Sequence, residues 1–255
     1  MNTDIYRSHL KNRILVQVQG GTEFQPADIL KYFEELEFGP NTEIGTKDIF
    51  EMASSLKGGF NMSIRIIACG VFRDALRHID LQRFHQNVTI TYIDPYLHNY
   101  PQKLKEEILH HIYLAKKAGD DILCLFGRCY PEMDHHLYEM GIPRVPGEHC
   151  YEILLGGKRF RAIIEEEAGT YFIEKNLILN FPEYCIQPLE LDDPLMRESF
   201  FQHYKRLIYI RQPFDSDSII PGFRDISQFL NLKPVVIDVD YSELKTKLIK
   251  LFSSI

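Results

Sequence analysis

Three cysteines stand where a chain of alternating strands and helices would gather reactive thiols. Cys69 ends the apolar run Ile66-Ile67-Ala68 and is followed by Gly70; Cys129 lies in Gly127-Arg128-Cys129-Tyr130-Pro131, after the apolar run 121–126. Cys150 follows Pro146-Gly147-Glu148-His149 and opens a segment, 151–155, that ends at Gly156-Gly157. Helix starts favour thiolate over thiol through their free amides and dipole, and turns at the carboxyl ends of parallel strands collect along one sheet edge. Three thiolates with one position left open suit an iron-sulfur cluster with an exposed iron first, and a zinc ion completed by histidine or water second. No Cys-x-x-Cys pair occurs, so local chelation does not decide the matter, and an isolated cysteine in a core is otherwise a small apolar side chain. Cys124, inside a strand, is read as core, and Cys185, in the loop 182–188, as incidental.

Polar residues near the same turns complete the candidate site. His98, in Leu97-His98-Asn99-Tyr100-Pro101, follows a strand and precedes a proline-started helix, which makes it a fourth ligand or a proton donor, or else a loop cap. Tyr171, in Gly169-Thr170-Tyr171, offers a phenolic proton, with Gly169 and Thr170 shaping a tight turn beside it. Arg128 and Arg144 flank the cysteines, as arginines do where a carboxylate or phosphate is held; the alternative is surface pairing with Glu132 or Glu148. The pairs His110-His111 and His135-His136 point about 100° apart on their helices and cannot share one ion. A Gly-x-Gly-x-x-Gly or Walker loop, a Gly-x-Ser-x-Gly elbow and a His-Glu-x-x-His pair are all missing, which disfavours nucleotide, serine-hydrolase and zincin chemistry.

The elements that must carry these residues alternate. Short apolar runs at 13–19, 63–68, 88–93, 121–126, 170–173, 207–210 and 235–239 read as strands. Helical periods fall at 26–38, 47–56, 72–84, 101–118, 132–140, 148–155, 194–205, 223–230 and 242–252. The expected fold is therefore α/β, with mostly parallel sheets and helices on both faces in α/β/α layers. A strand-helix-helix unit over 1–61 is expected to pack onto a main body over 62–255, which the Pro/Asp-rich run 182–194 divides into two sublobes. Within 255 residues, Lys and Arg total 29 against 36 Asp and Glu, a formal charge of -7 with no basic stripe, so nucleic acid is not the expected partner. No apolar run approaches the roughly 20 residues needed to span a bilayer. Five cysteines without disulfide spacing and no signal-like start point to a reducing cytoplasm.

In order along the chain, Ile66-Ile67-Ala68-Cys69-Gly70, Leu97-His98-Asn99-Tyr100-Pro101, Gly127-Arg128-Cys129, Pro143-Arg144, His149-Cys150 with Leu154-Leu155-Gly156, and Gly169-Thr170-Tyr171-Phe172 together resemble the prokaryotic family known as domain of unknown function 1638. The resemblance runs from about residue 63 to 181 and more loosely beyond. It carries the family's cysteines to Cys69, Cys129 and Cys150, its histidine to His98, its arginine to Arg144 and its Gly-Thr-Tyr motif to Gly169, Thr170 and Tyr171. Members often lie beside corrinoid-dependent methyltransferase genes, which implies a setting in one-carbon metabolism with corrinoid methyltransferase proteins as partners. Two departures stand out: Tyr130 follows Cys129 where the family has Gly, and His149 precedes Cys150 where it has Asp. The expected function is metal binding at the three-cysteine site, facing a small anionic ligand held by Arg144, with His98 or Tyr171 moving a proton. Two alternatives stand beside it: a non-catalytic protein that holds or delivers metal or corrinoid, and a metal-free cysteine enzyme.

Overall fold

The computed structural model describes residues 63–83 and 85–252. The expected strand 13–19, the helices 26–38 and 47–56 and the packing of the 1–61 unit lie outside the described residues.

Two parallel three-stranded sheets organise the chain. The first holds Ile64–Cys69 (β1), Val88–Ile93 (β2) and Asp121–Leu125 (β3) in the order β2-β1-β3. In register, Ile64 faces both Val88 and Asp121, and Ala68 faces both Tyr92 and Leu125. The central β1 is apolar on both faces, as a parallel strand covered from both sides must be. Its one charged residue, Arg65, is matched by Asp120, whose carboxylate accepts from Nε at 2.7 Å. Because β2 lies on one side of β1 and β3 on the other, the strand order reverses at β1, and the crevice beyond its carboxyl end is the place where such sheets bind ligands. Cys69, the last residue of β1, stands there.

The second sheet holds Thr170–Ile173 (β4), Arg206–Arg211 (β5) and Lys233–Asp238 (β6) in simple succession. Alternation along its strands splits its apolar residues. Phe172, Ile208 and Ile210 join the core that surrounds the first sheet, whereas Ile173, Leu207 and Tyr209 join a second core. The sheets thus share one apolar interior while the second sheet closes another behind it.

Helices cover these faces. Arg73–His78 (α1) follows β1, and Pro101–Ala118 (α2) joins β2 to β3 with Leu104, Ile108, Ile112 and Ala115 buried on one stripe. Pro101 sits in the first turn of α2, where its missing amide costs nothing. Met133–Glu139 (α3), Cys150–Leu155 (α4) and Gly157–Glu166 (α5) lie between the sheets in sequence. Lys175–Leu179 (α6), Pro194–Phe201 (α7), Ile220–Leu230 (α8) and Ser242–Phe252 (α9) complete the set.

Differences from the sequence reading are local. The helix expected over 72–84 is broken: Ile79 turns extended, with φ -76° and ψ 115°, and its side chain is buried. Helix α5 was not expected, because Gly156-Gly157 reads as an end; Gly156 does turn the chain with φ 80°, but a new helix starts at Gly157. The change of sheet falls between β3 and β4. Residues 182–194 begin instead with a wide helical turn, Pro182–Ile186, in which the Gln187 amide reaches back to the Pro182 carbonyl. No helix among the described residues is long and apolar enough to cross a membrane.

Ile208 lies 1% exposed in the core that both sheets share. Replacing it with Ala is expected to cost about 2–5 kcal/mol while leaving a single unfolding transition. Two separate transitions in urea, followed by circular dichroism, would mean that the sheets fold independently.

Candidate functional site

The carboxyl ends of the first sheet and of β4 in the second border one cavity of about 450 Å³. Its walls come from the ends of all three strands of the first sheet (Cys69, Asp94, Phe126), from the cysteine loops, and from β4 and the residues behind it. The volume lies within the range of small-molecule sites.

The three expected cysteines converge on this cavity. Of the groups around Cys150, Cys129 and Cys69 act on its ionisation most strongly. The Gly127 amide donates to Cys150 Sγ, at 3.3 Å. Together these groups hold the Cys150 thiol well below its ordinary pKa, against the effect of burial. Cys69 and Cys129 move the opposite way, because each interacts with Cys150 and each is desolvated. Of the three, Cys150 is the one whose ionised form its surroundings favour, and Cys69 and Cys129 sense each other only through charge. Among the described residues, no three His, Cys, Asp or Glu side chains are already disposed as a metal cage.

Close backbone approach makes the convergence possible. A Cβ on Gly127 would come within 2.8 Å of the Cys150 nitrogen, the Glu148 oxygen and the His149 Cα. Only glycine lets the loop after β3 lie against the start of α4, where the Arg128 amide donates to the Glu148 carbonyl at 2.7 Å.

Arg144 fastens the same region from beneath, and this differs from its expected role. Its Nη1 donates to the carbonyls of Phe126 (2.7 Å), Val145 (3.0 Å) and Gly147 (2.8 Å), and its Nε to Asp134 at 2.6 Å. The side chain is 8% exposed and does not line the cavity. It reaches the thiols only as a charge that favours ionisation of Cys129. Arg128 does line the cavity, but its guanidinium is taken by Asp134 (2.5 Å) and Glu148 (2.8 Å). Both guanidinium groups are thus engaged by protein partners in this structure.

The remaining expected residues divide. His98 lines the cavity and its charge favours the Cys150 thiolate. Thr170 lines it too, but its hydroxyl donates to the Glu167 carbonyl and accepts from Arg206 Nε at 2.8 Å. Gly169 stands outside the lining; a Cβ there would meet the His203 carbonyl at 2.4 Å, so it serves the close approach of the chain before β5. Tyr171 lines the wall away from the cysteines, with its hydroxyl 3.7 Å from Cys185 Sγ. Burial pushes its phenol well above the usual value, so it stays protonated. Cys185, read as incidental, is buried in that wall.

Sequence reasoning missed Glu174. It follows β4, is 1% exposed, lines the cavity, and accepts from the amides of Asn176 (2.8 Å) and Leu177 (3.0 Å) at the start of α6. Burial raises its carboxyl to about 7, with the Asp215 charge adding to the rise and the two amides and Lys175 opposing it. The one signal in the sequence was a carboxylate directly after the apolar run 170–173. Beside it Lys175 is paired with Asp74 and with Asp215 at 3.4 Å. Across the mouth, residues 94–100 clasp the turn at 184: Asn99 Nδ2 donates to the Tyr184 carbonyl at 2.8 Å, and the Tyr184 hydroxyl to Asp94 at 2.9 Å.

Fold and site together define a two-sheet parallel α/β protein with a thiol cluster at one end of an aromatic cavity. The chain belongs to the family of proteins of unknown function DUF1638, whose model matches residues 92–248. His98, Cys129, Arg144, Cys150 and Gly169 to Tyr171 fall inside that match; Cys69 precedes it, so the match starts later and reaches further than the resemblance read from motifs. No curated protein and no solved structure matches the chain.

Two outcomes follow from this geometry. Arg144→Lys keeps the charge but loses the fork that gathers three carbonyls, and is expected to cost about 2–3 kcal/mol in urea denaturation. For Glu174 the folded pKa lies above the unfolded one, so the native state holds the proton more tightly. Its contribution to stability is greatest below pH 4.5 and falls, by roughly 3 kcal/mol, as pH rises to 7. Glu174→Gln is expected to flatten that slope between pH 5 and 8; an unchanged slope would refute the assignment.

Proposed function

We propose that the protein binds a thiolate-ligated metal centre through Cys69, Cys129 and Cys150, at the thiol end of a cavity that receives a small molecule. The observation that carries this reading is the meeting of three cysteines from three separate segments around the Cys150 sulfur, next to a cavity rather than inside a closed core. In number and kind, three sulfurs with no fourth match an iron-sulfur cluster with one open position, or zinc completed by His98 or water; binding would draw the sulfurs into a cage that they do not form beforehand. When bound, such a group would supply Lewis-acid or electron-transfer chemistry.

The chain's own residues do the rest. Gly127 and Arg144 hold the loops in place, and the Gly127 amide stabilises charge on Cys150. His98, whose charge reaches Cys150, is positioned to pass a proton at the thiol end. Tyr171, protonated at neutral pH, is a donor on the far wall and not a base. Aromatic side chains exclude water between these ends. In this proposal the ligand is not held as an anion, since both arginines are engaged. Partnership with corrinoid methyltransferase proteins remains the setting that the motif resemblance implies.

A second reading has one observation in its favour. A cysteine whose ionised form its surroundings favour is also an activated nucleophile, and would serve a metal-free cysteine enzyme. The accessory reading, metal or corrinoid held without turnover, uses the same residues and differs in giving stoichiometric binding alone.

Elemental analysis and absorption spectra of anaerobically purified protein, beside Cys150→Ser and Cys185→Ser, test the proposal. We expect iron with labile sulfide, or about one zinc per chain, in the wild type and in Cys185→Ser, and its loss in Cys150→Ser. Protein that holds no metal and takes up neither iron-sulfide nor zinc would overturn the metal reading. Selective alkylation of Cys150 in that same protein would then establish the nucleophile.

A further inference from the structure

The cavity lining has a definite chemical character. Among the described residues it carries a single guanidinium, Arg128, already paired to two carboxylates, against the carboxyl groups of Asp94, Glu148 and Glu174. Two imidazoles, His98 and His149, also line it, and seven of its lining residues are Phe or Tyr. Phe160 and Phe172 stack with centroids 5.2 Å apart on one side, and Tyr171 meets Tyr204 edge-on at 5.5 Å on the other. Glu174 sits deep in the same lining, 1% exposed. The nearest cation to it, Lys175, is committed to Asp74 and Asp215.

We infer that the ligand of this cavity is a small organic cation of the alkylammonium class, held by the aromatic faces with Glu174 as its counter-ion. The inference deepens the proposed function and rests on its reading of the cavity as a ligand site. A buried carboxyl without a committed cation is costly as an ion, and a ligand cation removes that cost while aromatic quadrupoles supply attraction on the other sides. An anion would meet Glu174 and the negative faces of the rings, and the charge of His98 lies at the thiol end, where it is directed at Cys150. A neutral apolar ligand would leave Glu174 uncompensated. The groups that face Glu174 are Lys175 on its own helix, Asp215 from the loop after β5, and the phenols of Tyr151, Tyr184, Tyr209 and Tyr241. None of them supplies an unpaired positive charge.

Choline and 3,3-dimethylbutan-1-ol have the same shape and differ in charge. Calorimetric titration of each into the full chain at pH 8, at constant ionic strength, with acetate as the anionic control, tests the inference. Choline is expected to bind saturably and roughly tenfold or more tighter than the alcohol. Glu174→Gln, which keeps an acceptor for the α6 amides, should weaken choline about tenfold and leave the alcohol unchanged. Should that variant fail to fold by circular dichroism, Tyr171→Leu replaces it, with a similar selective loss of choline expected. Equal binding of choline and alcohol, tighter binding of acetate, or no saturable choline binding overturns the inference. Failure of the metal reading shows separately, as protein without metal that still binds choline.

Discussion

The guanidinium of Arg144 is the fastening on which the site depends. Loops at the carboxyl ends of parallel strands gather at one edge of a sheet, but nothing in that arrangement ties the loop before Cys129 to the loop before Cys150. Arg144 does so by drawing the carbonyls of Phe126, Val145 and Gly147 onto one planar cation. The chain before Cys129 and the chain before Cys150 are thereby tied to a common point. Its residue also extends the first sheet: Arg144 bridges to Cys124 beside β3, with the Val145 amide donating to the Cys124 carbonyl at 2.9 Å. A buried cation with that many oxygen partners is a structural part, and its fork cannot be replaced by a point charge.

How much of this was legible follows from what each residue's neighbours add. Strands such as 88–93 and 170–173 could be read because short β-branched and aromatic runs between turns have few other uses. Helix α2 was legible at both ends for the same kind of reason. The convergence of Cys69, Cys129 and Cys150 followed from polarity alone, since each ends a parallel strand or starts the next helix. What could not be read is direction inward. Arg144 and Glu174 are ordinary surface types, and only tertiary packing turns one into a loop clamp and the other into a cavity carboxyl. Nor does periodicity reveal whether six parallel strands form one sheet or two, because every crossover looks the same locally. Gly156-Gly157 misled for a related reason: a glycine can end one helix and introduce another without a gap.

The two walls of the cavity differ in chemistry because they come from different halves of the chain. The first sheet contributes sulfur, histidine and loop amides; β4 and the segment behind it contribute a carboxyl, phenols and Cys185. The two sheets share apolar core residues, so the walls are held at a fixed separation by burial rather than by polar bonds across the gap. Polar contacts between the halves accompany that burial, among them Lys175 with Asp74, Lys247 with the Pro146 carbonyl, Arg206 with the Ile163 carbonyl, and the clasp formed by Asn99, Tyr184 and Asp94.

That clasp is a light link in the cavity lining. Parting residues 94–100 from the turn at 184 gives up two hydrogen bonds and leaves both sheets intact. With solvent replacing the lost partners, the net cost is on the order of 1–3 kcal/mol, which corresponds to a parted fraction of roughly one molecule in six to one in 160. Opening on that scale takes microseconds to milliseconds for a loop of this kind. Residues 94–100 and the turn at 184 are therefore the part of the lining that can change shape most cheaply, while the two cores behind it stay fixed.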